Sequence, residues 1–314
     1  MNPFITLFVW ALLMASSFVV SGNMVAYASP IATAFFRFVL ALVLMVGILL
    51  VKMQMNKSVN KAKGVTQLSA LFSSQKVWQY AVISGALVGF FIGMFAALES
   101  TTPLHTSVLY TLVPLMGVLI AKFWLGESAS ILKVFGFVLG SFGAVLVLLA
   151  TQGNGPFVWH KGDYIFLGAS VLLAFHVVSV QKWGQAVGAF EGAFLIMLFG
   201  TIWLLPIAIM WGDLSSVAWG ELGFWLNGLY LTVFTTLFTF MLQQILVRSV
   251  GANRILAASY TIPVWVALWL ALSSWQWTLL FNMGFGLGLV CLLLALYLID
   301  KQNRNRVLVG LNSR

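Results

Sequence analysis

The side chains of this sequence with the clearest chemical potential are isolated ionisable residues within long apolar stretches. His176 lies near the middle of one such stretch, and an imidazole can exchange a proton near neutral pH. Arg37 lies about two turns inside another, where it could attract an anionic group or extend its long stem to the polar surface. Glu99 and His105 stand at the facing ends of two stretches. We predict these four as gate or coupling residues. The alternatives are a neutral His176 that donates to a neighbouring helix and solvated helix ends at 99 and 105.

A series of residues spaced by four runs along the eighth apolar stretch. Its members are Asn227, Leu231, Thr235, Thr239 and Gln243, with further threonines beside them. Side chains four apart share one helix face, and polar groups inside a membrane face the protein interior. This face is therefore predicted to be a cavity wall that offers hydrogen bonds to a substrate. Hydrogen bonding between helices is the alternative role.

Two prolines and several aromatic residues complete the candidates. Pro114 and Pro263 fall inside apolar stretches, where proline removes a backbone donor and bends a helix, so we predict hinge or kink positions there. Aromatic rings could stack on a flat or apolar substrate, and hydroxyls could bind its polar groups. The predicted substrate-cavity residues are Trp10, Ser17, Phe91, Tyr110, His176, Thr235, Thr239, Gln243, Tyr260 and Trp265.

The sequence lacks the motifs of common catalytic and nucleotide-binding sites. His105, His160 and His176 are dispersed along the chain, and no carboxylate lies deep in an apolar stretch. Neither an HExxH motif nor a Walker A motif occurs. We therefore predict no catalytic residues, no cofactor, no metal ion and no ATP-driven step within this chain.

Composition identifies the environment in which these residues act. Only 7% of the 314 residues are charged, against roughly 25% in soluble domains, and 61% are hydrophobic. A soluble domain needs more charge on its surface, and a disordered chain needs lower hydrophobicity. The single cysteine, Cys291, excludes a domain held together by internal disulfides. The remaining class is an integral membrane protein.

Ten apolar stretches are long enough to cross a bilayer, for which a helix needs about 20 residues. They do not alternate between apolar and polar residues as β-barrel strands do. The first is interpreted as a helix, because no basic segment precedes it and no small-residue cleavage pattern follows it. The predicted spans are Phe4–Gly22, Ile31–Val51, Val77–Leu98, Pro103–Ala121, Ala129–Ala150, Asp163–Gln181, Ala193–Trp211, Leu222–Gln243, Asn253–Ala271 and Trp277–Ile299.

The distribution of lysine and arginine predicts the orientation. With ten spans both termini lie on one side, and fourteen of the sixteen basic residues fall on that side. By the positive-inside rule this side is cytoplasmic, and the protein is predicted in the inner membrane. The net charge of +9 therefore reflects membrane topology, and no nucleic-acid partner is predicted. The longest loop, residues 52–76, is predicted to form either a surface helix on anionic lipid or a solvated tether.

Two halves of the chain, residues 1–151 and 152–314, are predicted to be five-helix repeats. Tyr110–Pro114 aligns on its proline with Ser259–Pro263, and the glycine pair at 136 and 140 corresponds to the pair at 284 and 288. An odd number of helices per half inverts the second half relative to the first. The predicted fold is all-α and integral to the membrane, with ten transmembrane helices as two inverted five-helix repeats. Transporters use this architecture, with a site near the midplane.

Several motifs follow one family pattern in order along the whole chain. They are Trp10 followed by Ser16-Ser17-Phe18, Pro30 followed by Arg37-Phe38, Pro114, and Leu125-Gly126-Glu127. By these motifs the chain resembles the ten-helix EamA branch of the drug/metabolite transporter (DMT) superfamily. The resemblance favours a structural role for Arg37. The chain departs from the family pattern at Ser274-Trp275-Gln276, where the family often repeats Leu-Gly-Glu. Glu127 therefore has no counterpart in the second half.

The resemblance implies a secondary active or facilitative transporter of a small organic metabolite. The predicted substrate is an amino acid, an amino-acid derivative or a drug-like compound, exported by alternating access around a midplane cavity. A vitamin or nucleoside importer of the same fold is the alternative within this class. An intramembrane lipid-modifying enzyme or a channel is the alternative from another class. The predicted partners are the small-molecule substrate and the lipid bilayer, and the sequence is compatible with a monomer.

Overall fold

The ten predicted spans are confirmed as helices. A computed structural model of the chain describes residues 3–55, 73–127, 129–151, 158–184, 187–249 and 252–312, and no strand occurs in these ranges. Ten of its helical segments are long and apolar enough to cross a membrane. We number them α1 (Pro3–Met24), α2 (Pro30–Met55), α3 (Ser74–Leu98), α4 (Pro103–Tyr110 and Val113–Leu125), α5 (Ile131–Thr151), α6 (Lys161–Trp183), α7 (Ala189–Trp211), α8 (Leu222–Thr232, Val233–Phe238 and Thr239–Ser249), α9 (Ala252–Ser259 and Ile262–Ser274) and α10 (Met283–Asn312).

The two ends of this helix bundle are distinguished by the chain termini. Because successive spans alternate in direction, both termini belong to one end. The other end holds the turns that follow α1, α3, α5, α7 and α9, and we call it the terminus-distal end.

Most helix limits agree with the sequence prediction to within a few residues. The tenth span is an exception, because a short 3-10 turn occupies Trp277–Leu280. Asn282 then caps α10 by accepting the Phe285 N–H through its side chain at 2.9 Å.

Two spans, α4 and α9, are each broken at the same place relative to a proline. The interruptions lie at residues 111–112 and 260–261, just before Pro114 and Pro263. Proline has no N–H to offer to the preceding turn, which favours a kink or a break there. In α7, by contrast, the helix continues through Pro206. The two prolines that the sequence marks as hinge or kink positions therefore follow true breaks rather than gentle bends.

The turns that end α4 and α9 share a backbone shape although their sequences differ. Gly126 and Trp275 both adopt left-handed conformations, with φ of 70° and 56°. In each turn this residue and its successor donate their N–H groups to one carbonyl near the helix end. Glycine adopts this conformation freely, whereas another residue pays roughly 1–2 kcal/mol. The sequence departure at 274–276 thus preserves the turn while losing the carboxylate.

Close helix packing depends on the glycines. A Cβ added at Gly143 of α5 would lie 2.9 Å from the Cβ of Cys291 and 3.0 Å from the Gly288 oxygen, both on α10. A Cβ at Gly93 of α3 would lie 2.7 Å from the Cβ of Ala169 on α6. These distances are shorter than van der Waals contact. The glycines therefore form packing seams between neighbouring helices.

Two sequence predictions fall on segments outside the described residues. Most of the predicted surface helix or tether at 52–76 lies in residues 56–72. Most of the junction between the two predicted halves lies in residues 152–157.

Candidate functional site

The guanidinium of Arg37 is buried between α2, α3 and α8. The residue is 4% exposed and lies seven residues from the start of α2, about 10 Å along the helix axis. Its Nε donates to Thr236 Oγ1 at 2.7 Å, and its Nη2 donates to Thr235 Oγ1 at 3.2 Å. The side chain therefore does not extend to the polar surface, which was one of the two predicted possibilities.

A π-helical turn in α8 presents these two threonines to Arg37. It spans Val233–Phe238, between two α-helical segments of the same span. Both hydroxyls donate to the Leu231 oxygen, Thr235 at 2.8 Å and Thr236 at 2.9 Å. Their oxygens then accept from the guanidinium. Single π turns within α-helices are frequently found at functional sites.

One face of the guanidinium rests on an aromatic ring of α3. The Arg37 Cζ lies 4.4 Å from the centroid of Phe91, which is within cation–π range. The ring of Phe38 meets Phe91 edge-on, with centroids 5.7 Å apart. We call Arg37, Phe91, Thr235 and Thr236 the arginine site.

The groups that contact the guanidinium at the arginine site are neutral. Among the described residues no carboxylate lies within 4.0 Å of the guanidinium. The Nη1 atom of Arg37 is buried and has no hydrogen-bond partner among the residues that the structure describes. A buried cation with only neutral partners is energetically costly. An anionic group bound at Nη1 would offset this cost.

Only part of the predicted polar face of α8 contributes to this site. Thr235 and Thr239 are buried, and Thr239 donates to the Thr235 oxygen at 2.8 Å. Asn227 donates to the Gly223 oxygen one turn earlier at 2.7 Å. Gln243 is exposed and so has a different environment from the two threonines. In an α-helix each step of four residues exceeds a full turn by about 40°. Five residues spaced by four therefore do not all lie on one face of the helix.

The predicted aromatic residues form separate groups. Trp10 is buried against Leu242 and Leu246 of α8, and Trp265 packs on the same apolar cluster. Tyr110 meets the ring of Phe18 edge-on at 5.4 Å. Ser17 is buried on α1.

Tyr260 lies apart from these rings. It stacks on Phe137 of α5 at 6.0 Å and is fully buried against Gly140. Among the aromatic candidates, Phe91 is the one that forms a cation–π contact with Arg37 in the described part of the chain.

His176 contacts the backbone of a neighbouring helix. Its Nδ1 lies 2.9 Å from the Ile83 oxygen of α3. A carbonyl oxygen only accepts, so Nδ1 carries the proton and donates. This geometry agrees with the alternative of a neutral histidine that joins two helices.

We expect His176 to be dispensable for transport, whereas its hydrogen bond to α3 contributes to stability. His176→Asn keeps an N–H donor near the Nδ1 position, whereas His176→Leu removes it and should lower stability by about 0.5–1.5 kcal/mol. Both variants should retain the pH dependence of transport, measured as flux from proteoliposomes at a series of pH values. A flat pH profile in the asparagine variant would instead assign proton coupling to His176.

The sequence interpretation of the histidines as dispersed is wrong for one pair. The rings of His105 on α4 and His160 before α6 lie 4.9 Å apart. Asp163 lies between them, and its Oδ2 is 3.1 Å from His105 Nδ1. The two histidines and Asp163 meet because the start of α6 packs beside the turn between α3 and α4. Glu99, predicted with His105 as a gate or coupling residue, is exposed at the end of α3.

Two of the contacts that sequence reasoning missed have weak signals in the residue pattern. Thr236 neighbours the predicted polar face, but its role depends on a π turn that no residue pattern predicts. His160 and Asp163 are separated by three positions at a helix start, a spacing that allows one side chain to meet the other. No residue pattern indicates that His105 joins His160 and Asp163.

Ten spans, two broken helices and a buried polar site define an integral membrane transporter fold. The profile of the EamA-like transporter family matches residues 2–149 and again residues 160–303. The chain belongs to the EamA-like transporter family, within the drug/metabolite transporter superfamily. It is thus a transporter rather than an enzyme, with the lipid bilayer and a small-molecule substrate as its partners.

Known relatives are consistent with this assignment. The chain is 26% identical to the uncharacterized transporter YvbV of Bacillus subtilis (strain 168) over 193 residues, which are 60% of this chain and 62% of that protein. This match thus spans less than two thirds of YvbV. The chain is also 22% identical to the uncharacterized transporter YyaM of the same organism. That match covers 84% of this chain and 83% of YyaM.

A solved crystal structure has the same fold. It superposes on this chain with a TM-score of 0.70 at 17% identity, and the alignment covers 97% of this chain and 98% of the other.

Proposed function

We propose that the protein exports a small metabolite that carries an anionic group, such as an amino acid or an amino-acid derivative. The observation that carries this proposal is the buried Arg37, whose Nη1 has no partner among the described residues. A carboxylate at Nη1 would form a charge-assisted hydrogen bond, which is about twice as strong as a neutral one. The ring of Phe91 would exclude water from one face of this pair.

The proposed mechanism is alternating access between two inverted halves, residues 1–151 and 152–314. The two segments matched by the family profile support this division, as do the paired breaks before Pro114 and Pro263. Broken helices absorb changes in backbone angle without unfolding a whole span. The arginine site joins helices of both halves, because α2 and α3 belong to the first and α8 to the second. Relative movement of the halves would therefore open and close it.

We propose an inner-membrane location with both termini in the cytoplasm. The lysine and arginine distribution supports this orientation, and it makes the terminus-distal end extracytoplasmic. Export is proposed as the direction because it is common in this family. We propose a monomer as the working unit, since each chain contains both halves.

Solute counterflow in proteoliposomes tests this function. Flux should be saturable, and compounds that bear a carboxylate should compete for it. Their amide analogues should compete about 10- to 100-fold more weakly, because a hydrogen bond to a charged group contributes about 1.5–3 kcal/mol. Linear flux without competition would contradict a carrier. Saturable flux with equal competition by acids and amides would contradict an anionic substrate.

A further inference from the structure

Two histidines and one aspartate converge at the terminus-distal end, in a cluster that shares no residue with the arginine site. Asp163 Oδ2 lies 3.1 Å from His105 Nδ1 and 3.6 Å from His160 Nδ1. The potential ligand atoms of the three residues all lie within 4.8 Å of one another. We call these three residues the histidine cluster.

The two distances from Asp163 Oδ2 to the imidazole nitrogens suit metal ligands. Zn²⁺ binds imidazole nitrogen at about 2.0–2.1 Å and carboxylate oxygen at about 2.0–2.2 Å, usually in a tetrahedron. Ligand atoms at the corners of such a tetrahedron are about 3.3 Å apart. The two measured distances lie on either side of this value. We propose that His105, His160 and Asp163 bind Zn²⁺ or a similar divalent transition metal, with water as the fourth ligand.

The surroundings hold the carboxylate in position for a metal. Thr101 Oγ1 donates to Asp163 Oδ1, and the backbone N–H of His160 donates to Oδ2 at 2.9 Å. Hydrogen bonds of this kind from outside the ligand set fix the orientation of metal-binding side chains. They also leave lone pairs on both carboxylate oxygens.

Burial and access also suit a metal site. The side chains of Asp163 and His105 are 0% and 4% exposed, which limits competition from water. The side chain of His160 is 39% exposed, so the cluster lies close to the solvent. Two imidazoles and one carboxylate form a ligand set that favours zinc, nickel and copper over magnesium or calcium. A bound ion would connect the start of α4 to the start of α6.

Cobalt substitution tests the site on the purified full-length protein without a polyhistidine tag. We expect one equivalent of Co²⁺ to give the visible absorption bands of a tetrahedral complex, and Zn²⁺ to displace it. Zn²⁺ should also raise the thermal unfolding temperature, because an ion that binds only the folded state stabilises it. EDTA should reverse both effects.

Substitutions decide which residues bind the ion. His160→Gln and Asp163→Asn should abolish the tetrahedral bands, and Thr101→Val should weaken Co²⁺ binding about 10- to 100-fold through loss of carboxylate orientation. His176→Gln is the matched control and should bind as the wild type does, since His176 lies in a different helix contact. His160 is partly exposed, so its substitution should not prevent folding. Absence of tetrahedral bands in the wild type, or unchanged bands in His160→Gln, would overturn the proposal.

Discussion

Replacing Arg37 with methionine should reduce transport efficiency by about 10- to 100-fold without lowering thermal stability. The expected loss corresponds to one charge-assisted hydrogen bond to the substrate, about 1.5–3 kcal/mol. Stability should stay constant or rise, because methionine fills a similar volume and removes a buried cation. The threonine hydroxyls keep their own acceptor, the Leu231 oxygen, so no donor is left unsatisfied.

Counterflow rates and thermal unfolding must be measured on the same Arg37 variants. Arg37→Lys should recover only part of the activity, because a single ammonium cannot replace the planar guanidinium that reaches both threonines. Arg254→Met is the matched control for loss of an arginine. Arg254 forms an ion pair with Asp300 at 2.7 Å, so this variant should lose some stability and keep transport.

The opposite result for Arg37 has a clear meaning. The family resemblance favours a structural role for this residue. In that role, Arg37→Met would lower the unfolding temperature, and transport would fall only in proportion to the folded protein. Such a result would remove the anionic group from the proposed substrate, while saturable counterflow would still identify a carrier.

The number and type of the spanning helices could be predicted because apolar length and lipid impose them directly. A segment such as Ala193–Trp211 has no alternative to a helix when its backbone must bond internally. A kink in α4 and α9 was also predictable, since Pro114 and Pro263 each remove a backbone donor. Their full breaks were not, because Pro206 also removes a donor and α7 continues through it. The short 3-10 turn at Trp277–Leu280 was not, because its residues are as apolar as those of a helix.

The site was predictable only as a set of residue types. Arg37 and the threonines of α8 stand out in an apolar chain, because an ionisable or polar group in a membrane needs a partner. Their pairing depends on a π turn and on the rotation of α2 against α8, which the sequence does not encode locally. The contact of His105 with Asp163 joins residues 58 positions apart, so it depends on how two helix ends pack.

That packing makes Gly162→Ala the most destabilising small change we expect in α6. A Cβ at this position would overlap the Ala97 carbonyl oxygen and lie 2.9 Å from the Thr101 Cβ. The first is a backbone atom and cannot rotate away, so α6 must move from the end of α3. Overpacking of this kind costs about 1–3 kcal/mol, which thermal or denaturant unfolding in detergent should detect.

Gly168→Ala on the same helix provides the matched control. Its added Cβ would meet no atom within 4 Å, so only helix propensity changes, and alanine gains up to about 1 kcal/mol over glycine. The two variants should therefore shift stability in opposite directions. Equal shifts would show that α6 and α3 do not approach closely at Gly162. Because that approach also brings Asp163 to Thr101, Gly162→Ala should weaken Co²⁺ binding at the histidine cluster, and Gly168→Ala should not.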